Sequence, residues 1–221
     1  MVRHGADPLT YLNPLLDEMA KKWPDNRVIN IVCHGHSVPA GYFATPFVNS
    51  FCAYPHLLHR LIKERFPYAV VNVIVTAIGG ENSKSGSLRF EKDVLTHRPD
   101  LVTIDYALND RALDLSEAKN AWRNMIEAAL HAAVPVILLT GTLDRSYFDK
   151  GPQYTKLTER AELIRGLADE YNVGLADSLS AWTDAANEPE ALVNLLSHVN
   201  HPTSEGHMLV ARELGKFFTA R

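Results

Sequence analysis

Cysteine, basic runs and long apolar stretches are all scarce in this sequence, and each scarcity removes a class of protein. The two cysteines, Cys33 and Cys52, are too few for a disulfide framework. The first lies in an apolar run and the second in a helical pattern, so both read as small core residues. No cluster of lysine and arginine of the kind that tracks phosphates occurs, and the formal net charge of -4 argues against a nucleic-acid partner. No apolar stretch approaches the ~18 residues that a bilayer span needs, so no membrane partner is expected. Met1 to Asp7 lacks an apolar signal core, which makes the cytoplasm the default compartment, with export open if a leader was removed. Nucleotide-binding signatures are also missing: nothing like GxGxxG or a P-loop stands beside Gly79-Gly80.

What is present is an alternation of apolar runs. At 221 residues, 46% hydrophobic and 22% charged, the chain suits one α/β domain over residues 1–221 with a large core. Residues 1–26 read as a helical extension, with Leu9, Leu12, Leu16, Met19 and Trp23 at helical spacing and Asn13-Pro14 as cap and first-turn pair. The run Val28 to Val32 then empties into His34-Gly35-His36-Ser37, a strand and tight turn that present Ser37. A helical stripe from Tyr54 to Phe66 stops at Pro67, and Ala69 to Val75 forms a second strand spilling into Gly79-Gly80. A helix near Ser85 to His97 leads to a third strand, Leu101 to Tyr106, which opens into Asn109. Asp114 and Glu117 form a capping-box-like pair before a long helix, followed by the strand Val136 to Thr140 and a polar loop from Gly141 to Tyr154. A further helix, the short strand Val173 to Ala176, a polar turn at 185–189 and a last helix from about Ser204 complete the chain. Right-handed crossovers then predict a three-layer, doubly wound, five-stranded parallel sheet of flavodoxin-like order 2-1-3-4-5.

That order crowds the loops after strands one, two and three into one crevice, bringing Ser37, Gly80 and Asn109 together. His201 precedes Pro202 at the mouth of the last helix. Acyl transfer needs a hydroxyl nucleophile, a base and preorganised donors, here Ser37, His201, the N–H groups of Ser37 and Gly80, and the Asn109 amide. The plainer reading of Ser37 is a helix cap.

Four blocks in order carry a resemblance to the SGNH (GDSL-like) hydrolases: Gly35-His36-Ser37-Val38, Ile78-Gly79-Gly80-Glu81-Asn82-Ser83, Leu108-Asn109-Asp110 and His201-Pro202-Thr203-Ser204-Glu205-Gly206-His207. The resemblance implies a serine esterase or lipase-like hydrolase of a small-molecule ester, with an oxyanion hole from Ser37, Gly80 and Asn109; no metal or cofactor is expected. Three positions depart from the pattern. His36 stands for the usual Asp of the first block, where it mainly braces the loop. Ala107 replaces a glycine. His198 occupies the place of the catalytic acid, three residues before His201, and an imidazole cannot stabilise an imidazolium as a carboxylate does.

The expectation is therefore a Ser-His dyad in which a backbone carbonyl near the Leu196–Val199 turn orients His201, with Glu188 or Glu190 as rival acids and His198 a solvent-facing bystander. A substrate with short acyl groups on a polar or carbohydrate alcohol fits the lack of a long apolar lid. Two other functions compete: a non-catalytic ligand-binding domain, and a metal-dependent hydrolase using His34, His36, His198, His201 and His207. The latter histidines lack accompanying Cys or carboxylate ligands. Asp110-Arg111 reads as an ion pair or a grip on a polar substrate, and Tyr42, Tyr54 and Trp122 read as core. No sequence feature fixes the oligomeric state.

Overall fold

Five apolar runs form one parallel sheet: β1 (Val28–Gly35), β2 (Val70–Val75), β3 (Leu101–Asp105), β4 (Val136–Leu139) and β5 (Gly174–Ala176). The computed structural model describes residues 4–186 and 188–219. Its strand order is β2-β1-β3-β4-β5, the expected one, with every neighbouring pair parallel. The helices are α1 (Asn13–Met19), α2 (Ser37–Ala40), α3 (Tyr54–Arg65), α4 (Ser83–Asp93), α5 (Leu115–His131), α6 (Ser146–Asp149), α7 (Pro152–Tyr171), α8 (Ser178–Ala185), α9 (Pro189–Leu195) and α10 (Ser204–Gly215).

Strand periodicity splits the core in two, because successive side chains point to opposite faces. Ile31, Leu101, Ile137 and Leu139 join one cluster with Leu16, Leu58, Trp182 and Leu214 from α1, α3, α8 and α10. Val32, Val102, Ile104, Val136 and Leu138 join the other with Phe90, Trp122 and Met125 from α4 and α5. Helices thus cover both faces, so the central strands are buried on both sides and read as continuous apolar runs.

Several local readings are corrected. The first helix is shorter than its apolar stripe: Leu12, Leu16 and Met19 are buried, but Leu9 lies before the helix and Trp23 beyond its end, and both are exposed. Asn13 is the first helical residue rather than its cap, which is Leu12 and makes no side-chain capping bond. The N-terminal segment packs its apolar face into the main cluster. Asn82 caps α4, accepting from the Ser85 N–H at 3.2 Å, so that helix starts earlier than expected and ends at Asp93 before a short 3-10 turn at Leu95–His97. Asp114 caps α5 without a side-chain bond, and Glu117 pairs with Lys84 at 2.7 Å instead of closing a capping box. The polar loop before Tyr154 contains α6 and the start of α7. Of the polar turn at 185–189, Asn187 lies outside the described residues, and α8 and α9 flank it. Cys33 is fully buried, with burial pushing its thiol up to about 12, and Cys52 is half-buried; both are free. Among the described residues no helix is long and apolar enough to cross a membrane.

Candidate active site

Three loops at the carboxyl ends of β1, β2 and β3 are tied together by main-chain hydrogen bonds. The Ile78 N–H donates to the Gly35 carbonyl at 3.0 Å and the His36 N–H to the Asp105 carbonyl at 3.3 Å. Gly35 is needed for this approach: a Cβ there would sit 2.5 Å from the Asp105 carbonyl oxygen and 2.8 Å from Pro39 Cγ. The chain then turns into α2, whose cap is His36, with Nδ1 accepting from the Val38 N–H at 3.4 Å. Ser37 is therefore not the cap. It is the first residue of the helix, where its own N–H has no intrahelical partner.

His201 reaches Ser37 from the other end of the chain. Its Nε2 lies 3.2 Å from Ser37 Oγ, and its Nδ1 lies 3.1 Å from the Phe43 carbonyl oxygen. A carbonyl can only accept, so Nδ1 carries the proton and Nε2 faces Ser37 as a bare lone pair. A carbonyl does orient His201, as expected, but it comes from the loop after α2 and not from the Leu196–Val199 turn. That turn is spent elsewhere. Leu196 bridges Pro202, the Ser197 N–H donates to the His201 carbonyl at 2.9 Å, and the Val199 carbonyl accepts from the Arg145 N–H. His198 sits at the exposed tip of this turn, and Glu188 and Glu190 are exposed as well. With both ring nitrogens of His201 engaged, neither glutamate has a place beside it. Burial holds the His201 imidazolium below its ordinary pKa, with the Phe43 carbonyl opposing and the His36 and His198 imidazoles adding to the depression.

The other two loops bring Gly80 and Asn109 to the same crevice. Gly80 is exposed with φ +79, and nothing lies within 4 Å of where its Cβ would be, so backbone conformation and not packing demands glycine there. Asn109 donates through Nδ2 to the Glu81 carbonyl at 2.8 Å, which fixes its amide plane against the Gly80 loop and leaves a second N–H. Asp110 braces the same junction: fully buried, it accepts from the Ser83 N–H and from Trp122 Nε1, both at 2.7 Å. Burial pushes its pKa up, with those donors opposing. Asp110 and Arg111 are thus not an ion pair, because Arg111 pairs with Asp144 at 2.8 Å.

The remaining histidines are dispersed. His34 bonds Thr76 Oγ1, the Gly86 carbonyl and Tyr106 Oη, and His207 Nδ1 accepts from the Tyr54 N–H. Burial lowers them to about 4 and about 3, so both are neutral. Among the described residues no group of three His, Cys, Asp or Glu side chains is placed to hold a metal ion. Tyr54 and Trp122 are fully buried, as expected of core. Tyr42 is not core. It is 39% exposed, its ring centroid lies 5.8 Å from that of His201, and Gly79 packs against its ring. Sequence reasoning missed the Phe43 carbonyl, Asp105, and the half-buried Glu81–Arg89 pair, whose Glu81 accepts from Tyr106 Oη at 2.8 Å. Of these, only Asp105 left a signal, as an acidic residue closing a strand that points at the site.

A parallel 2-1-3-4-5 sheet with a serine after β1, a glycine after β2, an asparagine after β3 and a histidine before the last helix defines a class of hydrolase. A family model described as "GDSL-like Lipase/Acylhydrolase family" matches residues 33–209, and the chain belongs to that family of ester hydrolases. A curated relative, an acetylxylan esterase from Geobacillus stearothermophilus, is 24% identical over 69% of this chain and 74% of its own. The crystal structure of the acetylxylan esterase Axe2 from that organism covers 87% of this chain and 95% of its own, with TM-score 0.73 and 20% identity. A putative lipolytic protein of the G-D-S-L family from Desulfitobacterium hafniense DCB-2 covers 85% and 98%, with TM-score 0.69 and 21% identity. Axe2 variants altered at a serine, an aspartate and a histidine are described as catalytic mutants, the last two residues lying three apart as His198 and His201 do here.

Proposed function

We propose that this chain hydrolyses short acyl esters of a polar or carbohydrate alcohol through a covalent acyl-enzyme on Ser37. The observation that carries the reading is the chain of contacts from Ser37 Oγ to His201 Nε2 and from His201 Nδ1 to the Phe43 carbonyl, at 3.2 and 3.1 Å. Ser37 Oγ attacks the ester carbonyl while its proton passes to His201 Nε2. The resulting oxyanion is met by the N–H groups of Ser37 and Gly80 and by the free N–H of Asn109. The imidazolium then gives its proton to the departing alcohol, and water repeats the sequence on the acyl-enzyme. In place of a carboxylate, the Phe43 carbonyl supports the imidazolium with a dipole.

The carbohydrate part of the reading has two supports. One is the likeness to an acetylxylan esterase. The other is the rim: Tyr42 flanks His201, and the same short hairpin, closed by the Phe43 N–H to the Phe47 carbonyl at 3.0 Å, carries the exposed Phe47. Aromatic faces suit the apolar face of a pyranose. Turnover of an acetylated xylo-oligosaccharide, compared with p-nitrophenyl acetate and a long-chain p-nitrophenyl ester, tests this. Acetyl esters should be preferred; preference for the long chain would contradict it.

Two outcomes follow from the roles of individual groups. Asn109→Ala should lower kcat by about 10²–10³-fold with KM little changed, as removal of one oxyanion donor does. Steady-state kinetics decide it, and an effect on KM alone would place Asn109 in substrate binding instead. Because the His201 imidazolium is held below 6.5, the base form persists to lower pH. The acid limb of kcat/KM should therefore lie below 6.5, and a limb at or above that value would contradict His201 as the base.

A further inference from the structure

Ser37 Oγ lies between two imidazoles. His201 Nε2 approaches to 3.2 Å and His36 Nδ1 to 3.4 Å. Behind His36, its Nε2 lies 3.4 Å from Asp105 Oδ1, and both side chains are almost wholly buried, at 1% and 4% exposure. We infer that His36 is a second general base for Ser37, with Asp105 as the carboxylate that orients it. The inference rests on the serine esterase reading above.

The tautomer of His36 supports this role. Its Nδ1 accepts the Val38 N–H, so that nitrogen is unprotonated, and the ring proton sits on Nε2 facing Asp105. An unprotonated nitrogen within reach of the hydroxyl and an N–H toward a carboxylate is the arrangement a serine hydrolase asks of its base. His201 meets the first condition but has only a carbonyl dipole behind it. The carboxylate missing at position 198 thus reappears behind the other imidazole.

Electrostatics point the same way. A carboxylate buried as deeply as Asp105 is costly without a partner, and His36 is at ion-pair distance. In the resting structure Nε2 makes no hydrogen bond. The contact has room to tighten once the ring takes a proton, because a full charge then faces a full charge in a low-dielectric interior.

In the step proposed, Ser37 Oγ bonds to the ester carbonyl carbon while its proton moves to His36 Nδ1 instead of His201 Nε2. The imidazolium paired with Asp105 returns that proton to the leaving alcohol oxygen as the C–O bond breaks. Water then adds to the acyl-enzyme by the same exchange, and Ser37 regains its proton. The Val38 N–H loses its acceptor during the step, which makes this the slower route while His201 is present.

The test compares p-nitrophenyl acetate turnover by the full chain carrying Ser37→Ala, His201→Ala, or His201→Ala with His36→Asn, each checked for folding by circular dichroism. Asparagine keeps an acceptor for the Val38 N–H but is no base. Since a positioned base contributes about 10²–10⁴-fold, His201→Ala should stay about tenfold or more above Ser37→Ala, and adding His36→Asn should bring it down to that floor. Asp105→Asn in the His201→Ala background should lower kcat without moving KM. The inference is overturned if His201→Ala alone already sits at the Ser37→Ala floor, or if His36→Asn removes none of the residual rate. A change in KM alone would overturn the role of Asp105. Wild-type turnover by Ser37→Ala would instead overturn the esterase reading itself.

Discussion

Ser37→Ala should reduce hydrolysis of p-nitrophenyl acetate by about 10⁴–10⁶-fold while leaving the thermal midpoint nearly unchanged, since loss of a nucleophile removes the covalent route entirely. The expectation of little structural cost comes from the surroundings. Ser37 is not the cap of α2, a role that His36 fills, and its Oγ bonds only toward two histidine rings among the described contacts. Alanine also suits the first turn of a helix. Activity and stability should therefore separate cleanly. A variant that keeps more than a small fraction of wild-type turnover, measured on the same preparation by steady-state kinetics, would contradict Ser37 as nucleophile.

The second large effect is on stability in acid. His34 and His207 are buried and neutral, with folded values of about 4 and about 3 against 6.5 for an unperturbed ring. Below about 6.5 the unfolded chain takes up protons at these rings that the folded chain refuses, so unfolding is drawn forward as the pH falls. The stability is fully present above 6.5 and is lost progressively as pH falls toward the two folded values. Together the two rings represent on the order of several kcal/mol, a large share of a typical domain's stability. Asp110 acts in the opposite sense, because its raised value lets the folded state bind a proton early. Calorimetric midpoints between pH 7.5 and pH 4.5 should fall steeply in wild type, at values roughly spanning the histidine range. His207→Asn, which can still accept the Tyr54 N–H, should fall less steeply, and an identical slope would contradict the account.

What could be read in the sequence was whatever is local. A strand buried on both faces leaves an uninterrupted apolar run, and a run that ends in Gly35-His36-Ser37 announces a turn, so the sheet order and the convergence of the Ser37, Gly80 and Asn109 loops followed from pattern and crossover handedness alone. The partner of His201 could not be read that way. It is a main-chain carbonyl 158 positions away, and a carbonyl carries no residue identity. Asp105 was legible only as the last residue of β3, where an acid beside His36 means nothing until the β1–β3 register sets Gly35 opposite it. Tyr42 looked like core because its type is apolar, whereas its exposure follows from a hairpin closed by the Tyr42–Val48 bridge. Short helices such as α8 and α9 escaped notice because they show too few turns for a period to emerge.

The central claim is that Ser37 becomes acylated. Incubation of the wild-type chain with a fluorophosphonate, followed by peptide mass spectrometry, tests this most directly. Activated serines attack the phosphorus irreversibly, so the account expects one adduct per chain on the peptide containing Ser37, with loss of esterase activity in step with labelling and no adduct in Ser37→Ala. An active enzyme that stays unlabelled, or an adduct on a different residue that tracks the loss of activity, would contradict it.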